Sequence, residues 1–100
     1  MANISVDQKR LEDFCRKNHI RQLALYGSVL HDDFGSESDI DVLVEFDHAH
    51  IPGLFKIAGL ERALSEILGH HKVDLRTPED LSPYFRQDVL DQAQVQCARG

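Results

Sequence analysis

The segment DIDVLVEF, residues 39–46, constrains this chain more than any other. Its apolar residues alternate at the period of a β-strand, with Ile40, Val42, Val44 and Phe46 on one face and Asp39, Asp41, Leu43 and Glu45 on the other. One face is apolar enough for a core, yet the opposite face begins with two carboxylates one residue apart. A strand of this kind divides its work between sheet interior and chemical surface.

The flanking sequence supplies the rest of a small layered fold. Ser5 followed by Gln8 reads as a capping box that opens a helix running to about Asn18, with Leu11, Phe14 and Cys15 on one side. IRQLALYG, from Ile20, reads as a strand stopped by Gly27, and the polar stretch HDDFGSES reads as a loop. After DHAHIPG, in which Pro52 suits a first helical turn, Ile57, Leu60, Leu64, Ile67 and Leu68 recur at helical spacing up to a stop at Gly69. HKVDLR is a short strand whose Val73 and Leu75 face away from Lys72, Asp74 and Arg76. Thr77 then caps a turn with Pro78 first inside it. Phe85, Val89 and Ala93 predict a terminal helix across PYFRQDVLDQAQVQ. Strands interrupted by helices predict an α/β (α+β) fold, a small mixed sheet of three or more strands flanked by helices.

The chain has 100 residues, which predicts one unit over residues 1–100 with no room for a second core. Its formal charge of -6, from 17 acidic against 11 basic residues, disfavours broad binding to nucleic acid or anionic membrane. No apolar run approaches the roughly 18 residues of a membrane span, and the N-terminus lacks the apolar centre of a signal peptide. A cytoplasmic protein is expected. Cys15 and Cys97 form no metal or redox spacing, so free thiols in a reducing compartment are the simplest reading, with a disulfide as the less favoured alternative. Cys15 is assigned to helix packing, and Cys97 to a fraying terminus.

Strand residues i and i+2 project to one face about 6 to 7 Å apart. Asp39 and Asp41 can therefore turn inward over a divalent cation, and a third carboxylate from another strand would complete an oxygen-rich site suited to Mg²⁺. Asp74 fills that role best, because it is an isolated acid among the apolar residues of the other acid-bearing strand. Two carboxylates about 4 Å apart repel by roughly 4 kcal/mol at an effective dielectric near 20, so such a group needs a compensating ligand. The competing reading leaves Asp39 and Asp41 at a solvated strand end, capping the preceding turn.

Gly27 and Ser28 follow the first strand directly. Glycine lets backbone approach a ligand, and the serine hydroxyl with the N–H groups behind it can hold a phosphate oxygen. GSVLHDDFG lacks the Gly-Lys-Ser/Thr ending of a Walker loop. A Gly-Ser pair alone is an ordinary turn, so the information lies in its combination with the acidic strand.

Gly27-Ser28, ten further residues, and then Asp39-Ile40-Asp41 resemble the signature of the DNA polymerase beta-like nucleotidyltransferase superfamily, and of its minimal single-domain members in particular. The likeness runs from about Leu23 through Phe46 and continues through KVDLRTPEDL and PYFRQDVL. It implies a nucleotidyltransferase-like fold in which Gly27 and Ser28 contact the triphosphate of ATP, Asp39 and Asp41 bind Mg²⁺, and Asp74 is the third carboxylate, helping to activate an acceptor hydroxyl. The implied reaction is attack of that hydroxyl on the α-phosphorus with release of pyrophosphate. Many minimal relatives carry arginine three residues after the motif serine. Here that position is His31, followed by Asp32 and Asp33, so the cationic contribution near the phosphates is weaker or pH-dependent.

The closest family likeness is to the antitoxin subunit of HEPN/MNT toxin–antitoxin pairs. It implies a small all-helical HEPN-type RNase toxin as partner and transfer of AMP to a tyrosine of that toxin. Two alternatives stand beside it: a catalytically weak or silent module that neutralises its partner by binding, and nucleotidyl transfer to a small molecule. His48, His50, His70 and His71 are read as exposed loop residues, since their spacing makes no compact zinc motif. Tyr26 is expected to pack in the first strand and Tyr84 to help dock the terminal helix.

Overall fold

The computed structural model describes residues 4–32, 34–35 and 37–98. The first helix, α1 (Gln8–Lys17), buries Leu11, Phe14 and Cys15 as their spacing requires. Its N-cap is Asp7 and not the expected Ser5: the Asp7 carboxylate accepts from the Arg10 amide at 3.2 Å. An aspartate in that place satisfies an orphan amide and also meets the positive end of the helix dipole. Arg16 and Lys17 in the last turn complement the other end.

Four strands follow, β1 (Ile20–Tyr26), β2 (Ile40–Phe46), β3 (Val73–Arg76) and β4 (Gln94–Ala98). They form one mixed sheet in the order β3-β2-β1-β4. β2 and β4 both run antiparallel to β1, whereas β3 runs parallel to β2. A parallel pair needs a crossover, and α2 (Leu54–Ile67) supplies it. Gly53 is the N-cap of α2, so Pro52 stands just outside the first turn in which it was expected.

The core lies between one sheet face and the helices. Ile40, Val42 and Val44 are essentially inaccessible and Phe46 nearly so, packed in one cluster with Leu11, Phe14, Leu60, Leu64 and Leu68. Each such side chain contributes roughly 1.5–3 kcal/mol by leaving water. Gly69 ends the helix at φ +88°, a conformation that costs glycine little. Glu61 of α2 accepts a hydrogen bond from the Leu75 amide at 2.8 Å, strapping helix to strand. The expected Thr77 cap is present, with Asp80 answering it in a capping box and Pro78 first in the short 3-10 turn. No helix among the described residues is long and apolar enough to cross a membrane.

The C-terminal segment departs from expectation. Helix α3 spans only Arg86–Gln92 and has no buried residue, and the chain then extends into β4. The apolar face of the predicted longer helix is only partly covered: Val89 and Ala93 are half-buried, but Phe85 is 64% exposed and Tyr84, expected to dock that helix, 91%. Residues 94–98 instead pair with the free edge of β1. That pairing carries Cys97 beside α1, where it is bonded to Cys15 across 82 residues of chain. Cys97 is therefore held in a strand and not in a fraying end, and the two sulfurs are not free thiols.

Candidate active site

The far face of the sheet answers the question posed by the acidic strand. Asp41 lies between Ile40 and Val42, both at 0% exposure, yet is itself only half-buried, because the pleat turns it to the opposite face. Asp41 pairs with Asp74 across the parallel β2–β3 ladder and with Tyr26 across the antiparallel β1–β2 ladder. Tyr26, Asp41 and Asp74 thus form a row across three strands. Asp39 stands exposed, one residue before β2 begins.

Gly27 makes the row possible. It follows β1 at φ +78°, and a Cβ placed there would lie 2.5 Å from Asp41 Oδ2. The carboxylate occupies the space that any side chain would fill, so this position requires glycine on both backbone and steric grounds. Gly27–Leu30 forms a short 3-10 turn pinned by fully buried Val29. The Ser28 hydroxyl donates to the Asp39 carbonyl at a long 3.5 Å, tying the turn to the start of the acidic strand. Of the sequence-predicted residues, Gly27, Ser28, Asp39, Asp41 and Asp74 are thereby gathered at one end of β1 and β2. His31 closes the same turn through its amide on the Ser28 carbonyl at 3.0 Å and is exposed, as is Asp32. Asp33 lies outside the described residues.

Electrostatics follow from this crowding. Burial pushes the Asp41 carboxyl above its ordinary value, Asp74 pushes it further, Arg76 opposes both, and Asp39 adds to the rise. The Tyr26 hydroxyl is pushed up to about 12, first by burial and then by the Asp41 charge, with Arg76 opposing and Asp74 and Asp80 adding smaller effects. Arg76 is the group that sequence reasoning misses. Its Nε donates to Asp74 Oδ2 at 3.0 Å. Strand alternation already placed residues 74 and 76 on one face, but their spacing does not say that they would pair.

The carboxylates suit Mg²⁺ in kind: the donors are oxygen only, and two of them face each other across adjacent strands. They are not drawn into a closed cage. Among the described residues, no three His, Cys, Asp or Glu side chains converge closely enough to hold a metal ion, and Asp74 is turned onto Arg76. The histidines lie elsewhere in part. His48, His50 and His70 are exposed as expected, with His50 stacked on His19 at 3.7 Å between ring centroids. His71 differs from expectation: it is half-buried, with Nδ1 3.3 Å from the Ser38 carbonyl and its ring against Phe34. It pins the loop that leads into β2 to the chain entering β3.

Residues 8–95 match the sequence model of the family described as Nucleotidyltransferase domain, a span that includes the Gly27–Ser28 turn and all three aspartates. A candidate protein adenylyltransferase of Methanocaldococcus jannaschii is 36% identical over 74 residues, which cover 73% of this chain and 73% of the relative. Protein adenylyltransferase MntA of Thermococcus cleftensis is 34% identical over 71 residues, covering 71% of this chain and 69% of the relative. Among solved structures, a candidate minimal nucleotidyltransferase superposes with a TM-score of 0.69 at 29% identity, over 86% of this chain and 85% of its own. A toxin–antitoxin structure with AMP-PNP superposes with a TM-score of 0.72 at 21% identity, over 93% of this chain and 74% of its own. That last likeness bears on the fold alone.

Proposed function

We propose that this chain, which belongs to the nucleotidyltransferase domain family, moves AMP from ATP to the hydroxyl of a tyrosine on a partner HEPN-type RNase toxin, and so acts as an antitoxin. The observation that carries the reading is the row of Asp41 and Asp74 beside a glycine whose missing side chain makes room for the Asp41 carboxylate. Relatives named as protein adenylyltransferases support the reaction class. A structural neighbour described as the toxin–antitoxin MntA-HepT, with a TM-score of 0.64, supports the partner class.

In this reading the amides after Gly27 and the Ser28 hydroxyl receive phosphate oxygens of ATP, and His31 stands at the end of the same turn. Asp39, Asp41 and Asp74 would hold Mg²⁺, which when bound offsets the charge of the phosphates and lowers the pKa of an acceptor hydroxyl. The acceptor oxygen bonds to the α-phosphorus, the bond to the β-phosphate bridging oxygen breaks, and pyrophosphate leaves with that electron pair. Asp74 takes the hydroxyl proton. Positioning contributes much of the rate, because the residues that would bind the nucleotide and the acceptor are fixed close together on one rigid sheet.

The open arrangement of the carboxylates favours one second reading, a module that binds and neutralises its partner without chemistry. Calorimetric titration of ATP with Mg²⁺ into the wild type and into Asp39→Ala/Asp41→Ala tests the first. Metal-dependent binding confined to the wild type, followed by one added AMP on a toxin tyrosine in mass spectrometry, is the expected result. Toxin inhibition that survives in the double variant, with no added mass, would move the conclusion to the second reading.

A further inference from the structure

The ion pair between Arg76 and Asp74 belongs to no part of the reaction described above. β3 places the two side chains on one face, since Val73 and Leu75 take the buried face. Arg76 Nε lies 3.0 Å from Asp74 Oδ2, and the two side chains are 47% and 38% exposed. A pair this open is held weakly and can be displaced by a competing ligand. Strand alternation puts Arg76 on the same sheet face as Asp74, and therefore on the face of the acidic row. Register places Arg76 beside Leu43, two pairs further along the ladder from Asp41 and Asp74 and on the same face. The Gly27–Ser28 turn, at the end of β1, is two strands distant, so this cation is not part of the phosphate-binding turn.

We propose that Arg76 is a positioning residue for Asp74: a built-in counter-ion that competes with the divalent metal for the third carboxylate and keeps the three-carboxylate cage open. The inference rests on the metal site of the proposed function. It accounts for the lack of convergence among the acids, because Asp74 has a resident cation while Asp39 and Asp41 do not share it through a direct hydrogen bond. A guanidinium forks readily onto phosphate or carboxylate oxygens. An incoming ligand bearing either group would draw Arg76 off and release Asp74 to the metal.

The test is Mn²⁺ affinity, read from the free-ion electron paramagnetic resonance signal with no nucleotide present. Arg76→Gln is expected to bind Mn²⁺ about two- to fivefold more tightly than the wild type, the range that an exposed ion pair can supply. Arg76→Lys keeps the charge and is expected to restore affinity near the wild-type value. Arg16→Gln removes a more exposed arginine, likewise paired with an aspartate, Asp13 on α1, and should change affinity little. In an Asp74→Asn background the effect of Arg76→Gln should shrink. Circular dichroism melts confirm that each variant is folded. Equal or weaker Mn²⁺ binding by folded Arg76→Gln, or an equal gain in Arg16→Gln, overturns the role of Arg76 alone. Absence of Mn²⁺ binding from every protein overturns the metal-site reading and this inference together.

Discussion

Asp41 and Asp74 face each other directly across the parallel ladder of β2 and β3, and Tyr26 faces Asp41 from the other side. Like charges placed side by side in adjacent strands destabilise a sheet. This fold retains such a pair beside the Gly27 turn, the Ser28 hydroxyl that donates to the Asp39 carbonyl, and Arg76. The arrangement trades some stability for a concentrated acidic surface, and several measurable consequences follow from its geometry.

The folded state raises the Asp41 pKa above its unfolded value, so it holds the proton more tightly than the unfolded chain does. Asp41 then costs stability once pH rises through the unfolded carboxylate value, and the cost is fully present above the folded value. Asp41→Asn is expected to be more stable than the wild type near pH 7, by no more than about 1 kcal/mol after solvent screening of a half-exposed group. The gain should fade as pH falls towards about 4. Urea unfolding at the two pH values checks it, and the same variant should lose metal-dependent ATP binding.

Gly27→Ala meets two obstacles, the φ of +78° and a Cβ 2.5 Å from Asp41 Oδ2. The backbone conformation alone costs about 1–2 kcal/mol, and the Asp41 carboxylate has to leave its place. A lowered melting temperature with at least a tenfold loss of nucleotidyl transfer, about 1.4 kcal/mol in barrier, is expected. Steady-state kinetics on the folded variant below its melting temperature separate the two effects.

Tyr26 should ionise late. Its pKa of about 12 predicts that its share of tyrosinate absorbance appears well above pH 10 and vanishes in Tyr26→Phe. The sign of the linkage is opposite to that of a buried, paired acid: the unfolded chain releases the phenolic proton first, so Tyr26 lowers stability progressively as pH rises above about 10. Spectrophotometric titration of wild type and variant, followed by urea melts between about pH 9 and pH 11, tests both statements.

The Cys15–Cys97 bridge closes a loop over 82 residues of sequence separation and fastens edge strand β4 to α1. Closing a loop of this size stabilises the folded protein by about 4–5 kcal/mol through restriction of the unfolded chain. Reduction, or Cys97→Ser, is expected to lower the melting temperature while leaving the Tyr26–Asp41–Asp74 row in place, because β4 lies on the opposite side of β1 from β2. Thermal melts with and without reductant, paired with Mn²⁺ binding to the reduced protein, decide it.

Much of this protein was legible in local patterns. The alternation of Ile40, Val42 and Val44 against Asp39 and Asp41 defined a strand with one buried and one chemical face, and the spacing of Leu60, Leu64 and Leu68 defined the crossover helix. Thr77 and Gly69 marked their turns for reasons of hydrogen bonding and φ alone. These features depend on residues a few positions apart, where backbone geometry fixes which side chains share a face.

Tertiary structure decided the rest. Phe85, Val89 and Ala93 have helical spacing, yet the chain leaves the helix at Gln92, because none of the three is fully buried and residues 94–98 pair with the edge of β1. The joining of Cys15 to Cys97, the register that sets Asp41 against Asp74, and the capture of Asp74 by Arg76 likewise depend on which elements become neighbours. Strand pairing is a competition among distant segments for the same backbone hydrogen bonds and the same apolar cover. Periodicity shows what each segment can offer, and only the assembled sheet determines which offer is taken.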